Sequence, residues 1–228
     1  RMRLPRRSLL AATALAAASA AAYYWWPRSG GDQGPPEPDA PEPPRAGDAD
    51  LRLAERGIGN PTAPVKVIEF FSLTCSHCAA FHRDTYPRVK KELVETGAIR
   101  LIWRDFPLDQ VALTAAAVAR SLPAERYDGF VSALFASQDR WAFTRGDPFA
   151  ELAKMAALAG MPKSQFDEVQ KDEPLKRAIL EQRVVAEKEF SVQATPSFSF
   201  QGGGTIRNQS GNMPFERFQA LIQEVKPV

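Results

Sequence analysis

The chain contains two cysteines and no others, and they lie three residues apart at the end of an apolar run, Val65-Lys66-Val67-Ile68-Glu69-Phe70-Phe71-Ser72-Leu73-Thr74-Cys75-Ser76-His77-Cys78. Cys75 and Cys78 can therefore only pair with each other, bind something together, or react with another molecule. The run 65–71 predicts a buried strand, and the residues after Cys75 predict a helix, so the pair is expected at a strand-to-helix turn.

That position has a chemical consequence. A thiolate at a helix N-terminus faces unpaired backbone N–H groups and the positive end of the helix dipole, both of which favour the charged form. Cys75 is expected to be acidic for this reason, and His77, between the cysteines, offers it a positive charge or a hydrogen bond. Cys78, one helical turn further in, is expected to be more buried and less acidic. An acidic, stable thiolate favours the reduced pair and so makes its disulfide an oxidant.

Other uses of the pair remain open at this point. Cys75, Cys78 and His82 follow C-x-x-C-x-x-x-H and supply three of the four ligands of a zinc site, with the fourth missing unless His77 swings in. A c-type haem attachment needs histidine directly after the second cysteine, where Ala79 stands. Two inert buried cysteines are the bland alternative.

Two cysteines cannot staple a scaffold, so in an exported chain they read as a reactive pair. Arg1, Arg3, Arg6 and Arg7 precede an apolar run from Leu9 to Trp26, which predicts export with the amino terminus inside, as a signal peptide or a membrane anchor over residues 1–26. Ala18-Ser19-Ala20 suits cleavage, whereas Tyr23, Tyr24, Trp25 and Trp26 resemble an interfacial aromatic belt and favour an anchor in the inner membrane through residues 9–26. Arg6-Arg7-Ser8-Leu9-Leu10 also resembles a twin-arginine signal. Residues 27–50, rich in Pro, Gly, Asp and Glu, read as a disordered linker with a reach on the order of 75 Å at about 3.1 Å per residue.

Beyond the leader, 25 Lys and Arg face 27 acidic residues, a balance with nothing to attract nucleic acid. With 228 residues, 44% of them apolar, the chain suits one globular domain plus accessory segments. That domain is expected over 51–228.

Gly59-Asn60-Pro61 turns the chain into the first strand. A helix is expected from Cys75 to about Thr96, kinked at Pro87 and ended by Gly97. Residues 99–104 read as a second buried strand, parallel to the first. Helical patterns follow at about 109–121, 124–138, 148–159, 162–170 and 174–190. Strand character returns at 197–201 and 205–207 around three glycines, and a last helix covers about 214–225. The order is β-α-β, a helical block, then β-β-α.

Phe70-Phe71-Ser72-Leu73-Thr74-Cys75-Ser76-His77-Cys78, Arg104-Asp105-Phe106-Pro107-Leu108 and Thr195-Pro196-Ser197-Phe198 together resemble the DsbA family of periplasmic thiol:disulfide oxidoreductases. The resemblance implies an α/β thioredoxin-like fold with an inserted helical domain at about 107–190. It implies a cis Pro196 beside Cys75, although an arbitrary X–Pro bond is ordinarily trans. It further implies that Thr195 and Pro196, with Ser76, meet an extended substrate. No cofactor beyond the Cys75–Cys78 disulfide is expected, and no metal. Ser76 stands where proline is common in the family, so the redox potential does not carry over.

Glu69 interrupts an apolar strand, and an isolated buried carboxylate is costly unless protonated or paired. It is either a strand-edge residue reaching solvent or, as in family members with an acid there, the group that takes and returns the Cys78 proton. His82 reads as a helix-surface histidine.

The expected function is a periplasmic oxidoreductase that donates a disulfide to exported proteins with free thiols and is reoxidised by a membrane partner of the DsbB kind. The rivals are a membrane-tethered reductase or isomerase and, from another class, a non-catalytic thioredoxin-fold binding or metal-delivery protein.

Overall fold

The computed structural model describes residues 50–227. The leader and nearly all of the expected linker lie outside the described residues.

Five strands form one sheet in the order β1-β3-β2-β4-β5. They are β1 (Arg56–Ile58), β2 (Val65–Phe71), β3 (Ile99–Asp105), β4 (Ser197–Gly202) and β5 (Thr205–Ser210). β3 runs parallel to β2, and the other pairings are antiparallel. Nine α-helices lie among the described residues, besides short 3-10 and π turns: α1 (Ser76–Asp84), α2 (Tyr86–Val89), α3 (Gln110–Ser121), α4 (Tyr127–Ala136), α5 (Gln138–Trp141), α6 (Pro148–Leu158), α7 (Lys163–Gln170), α8 (Glu173–Glu189) and α9 (Phe215–Val225). This is the thioredoxin-like arrangement, with α3 to α8 inserted between β3 and β4.

Strand alternation explains why β2 is central. Val65, Val67 and Phe71 enter the main core with Phe81, Phe198 and Phe218, while Ile68 and Phe70 pack on the other face with Ile102, Phe106 and Ala186. Helices therefore cover both faces, which explains the nearly continuous apolar run. Glu69 shares the parity of Val67 and Phe71, so it faces the main core between Trp103 of β3 and Phe198 of β4.

The helix expected from Cys75 to Thr96 is broken in two. α1 stops at Thr85, whose hydroxyl donates to the Met213 carbonyl at 2.8 Å, and Pro87 opens α2 because it has no N–H to continue the first helix. The last turn, Lys90–Val94, widens into a π-turn before Gly97 adopts φ 76°. β1 escapes sequence reading because it is three residues long and contains Gly57. A Cβ there would sit 2.7 Å from the Leu101 carbonyl, so glycine permits the edge pairing. The pattern at 124–138 divides into a 3-10 turn, α4 and α5, with the Trp141 indole N–H donating to the Leu134 carbonyl at 2.8 Å.

Candidate active site

β2 delivers the chain at Phe71 into a tight turn in which the Cys75 N–H donates to the Ser72 carbonyl at 3.0 Å. Cys75 caps α1 in an extended conformation, so its sulfur lies at the open end of the helix. The turn is held from three sides. The Ser72 hydroxyl accepts from the Leu108 N–H at 3.3 Å and lies 3.2 Å from that of Thr74. The Thr74 hydroxyl donates to one oxygen of Asp109 at 2.6 Å, and the other oxygen caps α3 through the Ala112 N–H at 2.7 Å. Buried Gln138 donates to the Leu73 carbonyl at 2.8 Å and the Cys75 carbonyl at 3.1 Å. The helical insertion thus grips the cysteine turn at both ends.

The fold brings Thr195 and Pro196 to the same place. The Thr195–Pro196 bond is cis, and the Cys75 sulfur donates to the Thr195 carbonyl at 3.3 Å. The Thr195 hydroxyl is buried with no partner.

Both cysteines are free thiols, and their environments differ sharply. The Cys75 pKa falls to about 5, chiefly through a hydrogen bond from the Cys78 thiol. Burial opposes the fall, and the Thr195 side chain and the backbone N–H groups of Cys78 and His77 reinforce it. Thr195 therefore plays two parts: its carbonyl accepts from the thiol, and its hydroxyl favours the thiolate. His77 acts on Cys75 through its backbone N–H, while its side chain is exposed. Ser76 is exposed at the first position of α1. Cys78 is fully buried, and burial first, then the Cys75 sulfur and the Glu69 charge, push its thiol well above the ordinary range.

Glu69 is 0% exposed and does not reach solvent. Its two oxygens lie 3.1 and 3.2 Å from Nε2 of His82. The reading of His82 as a helix-surface residue is therefore corrected: its side chain is 2% exposed and turns inward from α1 onto β2. The periodicity around it is ambiguous because Ala79 and Phe81 are buried beside it, and nothing local reveals that β2 carries a carboxylate opposite. This geometry also occupies the third ligand of the zinc alternative. Among the described residues no group of three or more His, Cys, Asp and Glu side chains could hold a metal ion.

Sequence pattern does not mark Gln138, Asp109 or Ser72 as site residues. Asp109 carries a signal as the residue before a helical pattern, whereas Gln138 carries none.

The thioredoxin family model matches residues 52–224. The chain belongs to the thioredoxin family. Its similarity within that family is to disulfide-exchange proteins. It is 28% identical over 171 residues, 74% of this chain, to a Rickettsia prowazekii protein provisionally named a protein-disulfide oxidoreductase. The chain covers 62% of that relative, less than two thirds of its length. The crystal structure of Wolbachia pipientis alpha-DsbA1 superposes with a TM-score of 0.69 at 29% identity, covering 76% of this chain and 91% of that one. A protein-disulfide isomerase from Novosphingobium aromaticivorans shares the fold at 24% identity, with a TM-score of 0.63 over 75% of this chain and 98% of that one.

Proposed function

We propose that this thioredoxin-family chain is a protein thiol:disulfide oxidoreductase that donates the Cys75–Cys78 disulfide to proteins with free thiols. The observation that carries this reading is the asymmetry of the pair: an acidic sulfur at position 75 against a buried, weakly acidic thiol at 78. A substrate thiolate attacks the Cys75 sulfur, Cys78 departs and takes up a proton, and a mixed disulfide joins Cys75 to the substrate. A second substrate thiol then attacks the substrate sulfur of that bond, and Cys75 leaves as a thiolate that the helix start and Thr195 stabilise. Glu69 exchanges the proton with Cys78. The Thr195–Pro196 segment and Ser76 border the attacked sulfur and receive the extended substrate.

The working place of such a donor is the periplasm, with exported proteins as substrates and a membrane reoxidant of the DsbB kind. The arginine-led apolar leader supports export. Among the described residues no helix is long and apolar enough to cross a membrane, so tethering would rest on residues 9–26.

Equilibration with a glutathione redox buffer tests the reading. An oxidising potential is expected; a strongly reducing one would favour the reductase, and no redox response would favour a binding module. With Cys78→Ala, Cys75 is expected to accumulate mixed disulfides with exported proteins in cells. Failure to capture any would remove the substrate assignment.

A further inference from the structure

The Glu69–His82 pair is buried, and the thiol-exchange chemistry alone does not explain why an imidazole should be there. His82 lies one turn beyond Cys78 on the same helix. Its ring is held between Tyr86, with centroids 4.7 Å apart, and Phe135 of the helical insertion, at 4.4 Å, both inclined by less than 40°. Phe81 closes an edge at 5.7 Å. This slot leaves Nε2 on the Glu69 carboxylate and Nδ1 buried without a partner. The ring so confined presents one nitrogen to one carboxylate.

We propose that His82 is a positioning residue for proton transfer at Cys78, acting by holding the Glu69 carboxylate oriented and ready to accept a proton. The inference rests on the exchange role given above to Glu69. A carboxylate buried beside Trp103 and Phe198 needs a polar partner, because burial of an unpaired polar group is costly and leaves nothing to fix its direction. The imidazole supplies that partner while the aromatic slot keeps water out.

During reoxidation, Cys75 is first joined to a partner sulfur. The Cys78 thiol gives its proton to Glu69, the Cys78 sulfur attacks Cys75, and the partner leaves as a thiolate while the intramolecular disulfide forms. In donation the same proton returns to Cys78. Cys78 and Tyr86 both feel the Glu69 charge, and the Tyr86 hydroxyl donates to Asp128, which Lys90 binds at 2.6 Å. Burial, reinforced by Asp128 and Glu69, holds the Tyr86 phenol in its neutral form, so it does not compete for the proton.

The test follows the resolution of a Cys75–glutathione mixed disulfide by Cys78, from pH 5 to pH 10, in four proteins: wild type, His82→Phe, Glu69→Gln and the double variant. His82→Phe keeps a stacked ring and removes the nitrogen. It is expected to slow resolution by about tenfold or more at neutral pH, at the low end of or below the usual general-base contribution. The deficit should narrow toward pH 10, because the small ionised fraction of Cys78 grows with pH and attacks without a base. In the Glu69→Gln background the same substitution should change the rate less than twofold. His82→Gln, which keeps an N–H donor, should retain most of the activity.

A His82→Phe rate within twofold of wild type at all pH values would overturn the proposal. So would an undiminished loss in the Glu69→Gln background, which would mark His82 as structural. A normal rate for Glu69→Gln alone would instead sink the Glu69 role on which the inference rests. Should His82→Phe fail to fold, the unmutated protein decides by nitrogen NMR of the imidazole. The His82 Nε2 shift must then change between the dithiol and disulfide forms, and an unchanged shift overturns the proposal.

Discussion

The Cys75 sulfur lies 3.3 Å from the carbonyl oxygen of Thr195, a residue 120 positions away in the chain, and the same residue's hydroxyl favours the sulfur once it is ionised. The most reactive atom of the protein is thus conditioned by both ends of the domain. One end supplies the start of α1 and the other supplies the turn into β4.

Cys75 is expected to titrate near pH 5, read from thiolate absorbance or from alkylation rates, and to react readily at pH 6. Thr195→Val keeps the carbonyl and removes the hydroxyl, so it should raise that pKa. It also deletes a buried oxygen with no protein partner, so the oxidised form, which has no thiolate to stabilise, should show no loss of stability in chemical denaturation. An unchanged titration in the variant would remove the hydroxyl from the site.

The folded-state pKa of Cys75 lies below the ordinary thiol value of 9.0, so its ionisation stabilises the reduced fold. The contribution is full above pH 9 and is lost progressively as pH falls through about 5. The stability of the reduced form relative to the oxidised form should therefore decline across that window. Below about pH 5 reduction takes up one proton more than it does above, so the fall of the potential with pH should be steeper there by about 30 mV per pH unit. A single slope across pH 5 would contradict this.

Gln138→Ala removes the donor to the Leu73 and Cys75 carbonyls. The Cys75 carbonyl still accepts from the Ala79 N–H at 3.1 Å, whereas the grip on Leu73 is lost. The expected cost is about 1–3 kcal/mol in denaturant unfolding. Faster amide exchange in residues 72–75 should accompany it, because the insertion no longer clamps the turn.

Asp105 and Arg120 form a second buried pair, each side chain 2% exposed, with the Tyr127 hydroxyl 3.3 Å from the other Asp105 oxygen. Arg120→Met strands a buried carboxylate and should cost about 3–5 kcal/mol. Arg120 is absent from the groups that act on Cys75, so the Cys75 titration should stay near 5 wherever the variant folds. A displaced titration would mean that the insertion reports directly to the sulfur.

Much of the architecture follows from short-range pattern. The apolar run 65–71, the turn ending in Cys75 and the helix behind it are adjacent in the chain, and so are the parallel strand at 99–105 and the hairpin at 197–210. Backbone geometry ties such patterns to their elements, because strands alternate faces every two residues and helices repeat every 3.6. β1 escapes that reading because three residues are too few to establish a period, whereas the long first helix divides at the kink expected from Pro87, which has no N–H to continue it.

The amino-acid sequence by itself determined that the only thiols would share a helix start, one exposed to the positive end of a dipole and the other a turn deeper. Only the tertiary structure decided what surrounds them: the Gln138 clamp on the turn, the Thr195 carbonyl and hydroxyl at Cys75, and the inward turn of His82 onto Glu69. Each of these joins residues that local periodicity cannot relate, 63, 120 and 13 positions apart. Such contacts arise because sheet and insertion bury polar atoms together, and a buried polar atom must take whatever partner the folded chain brings to it.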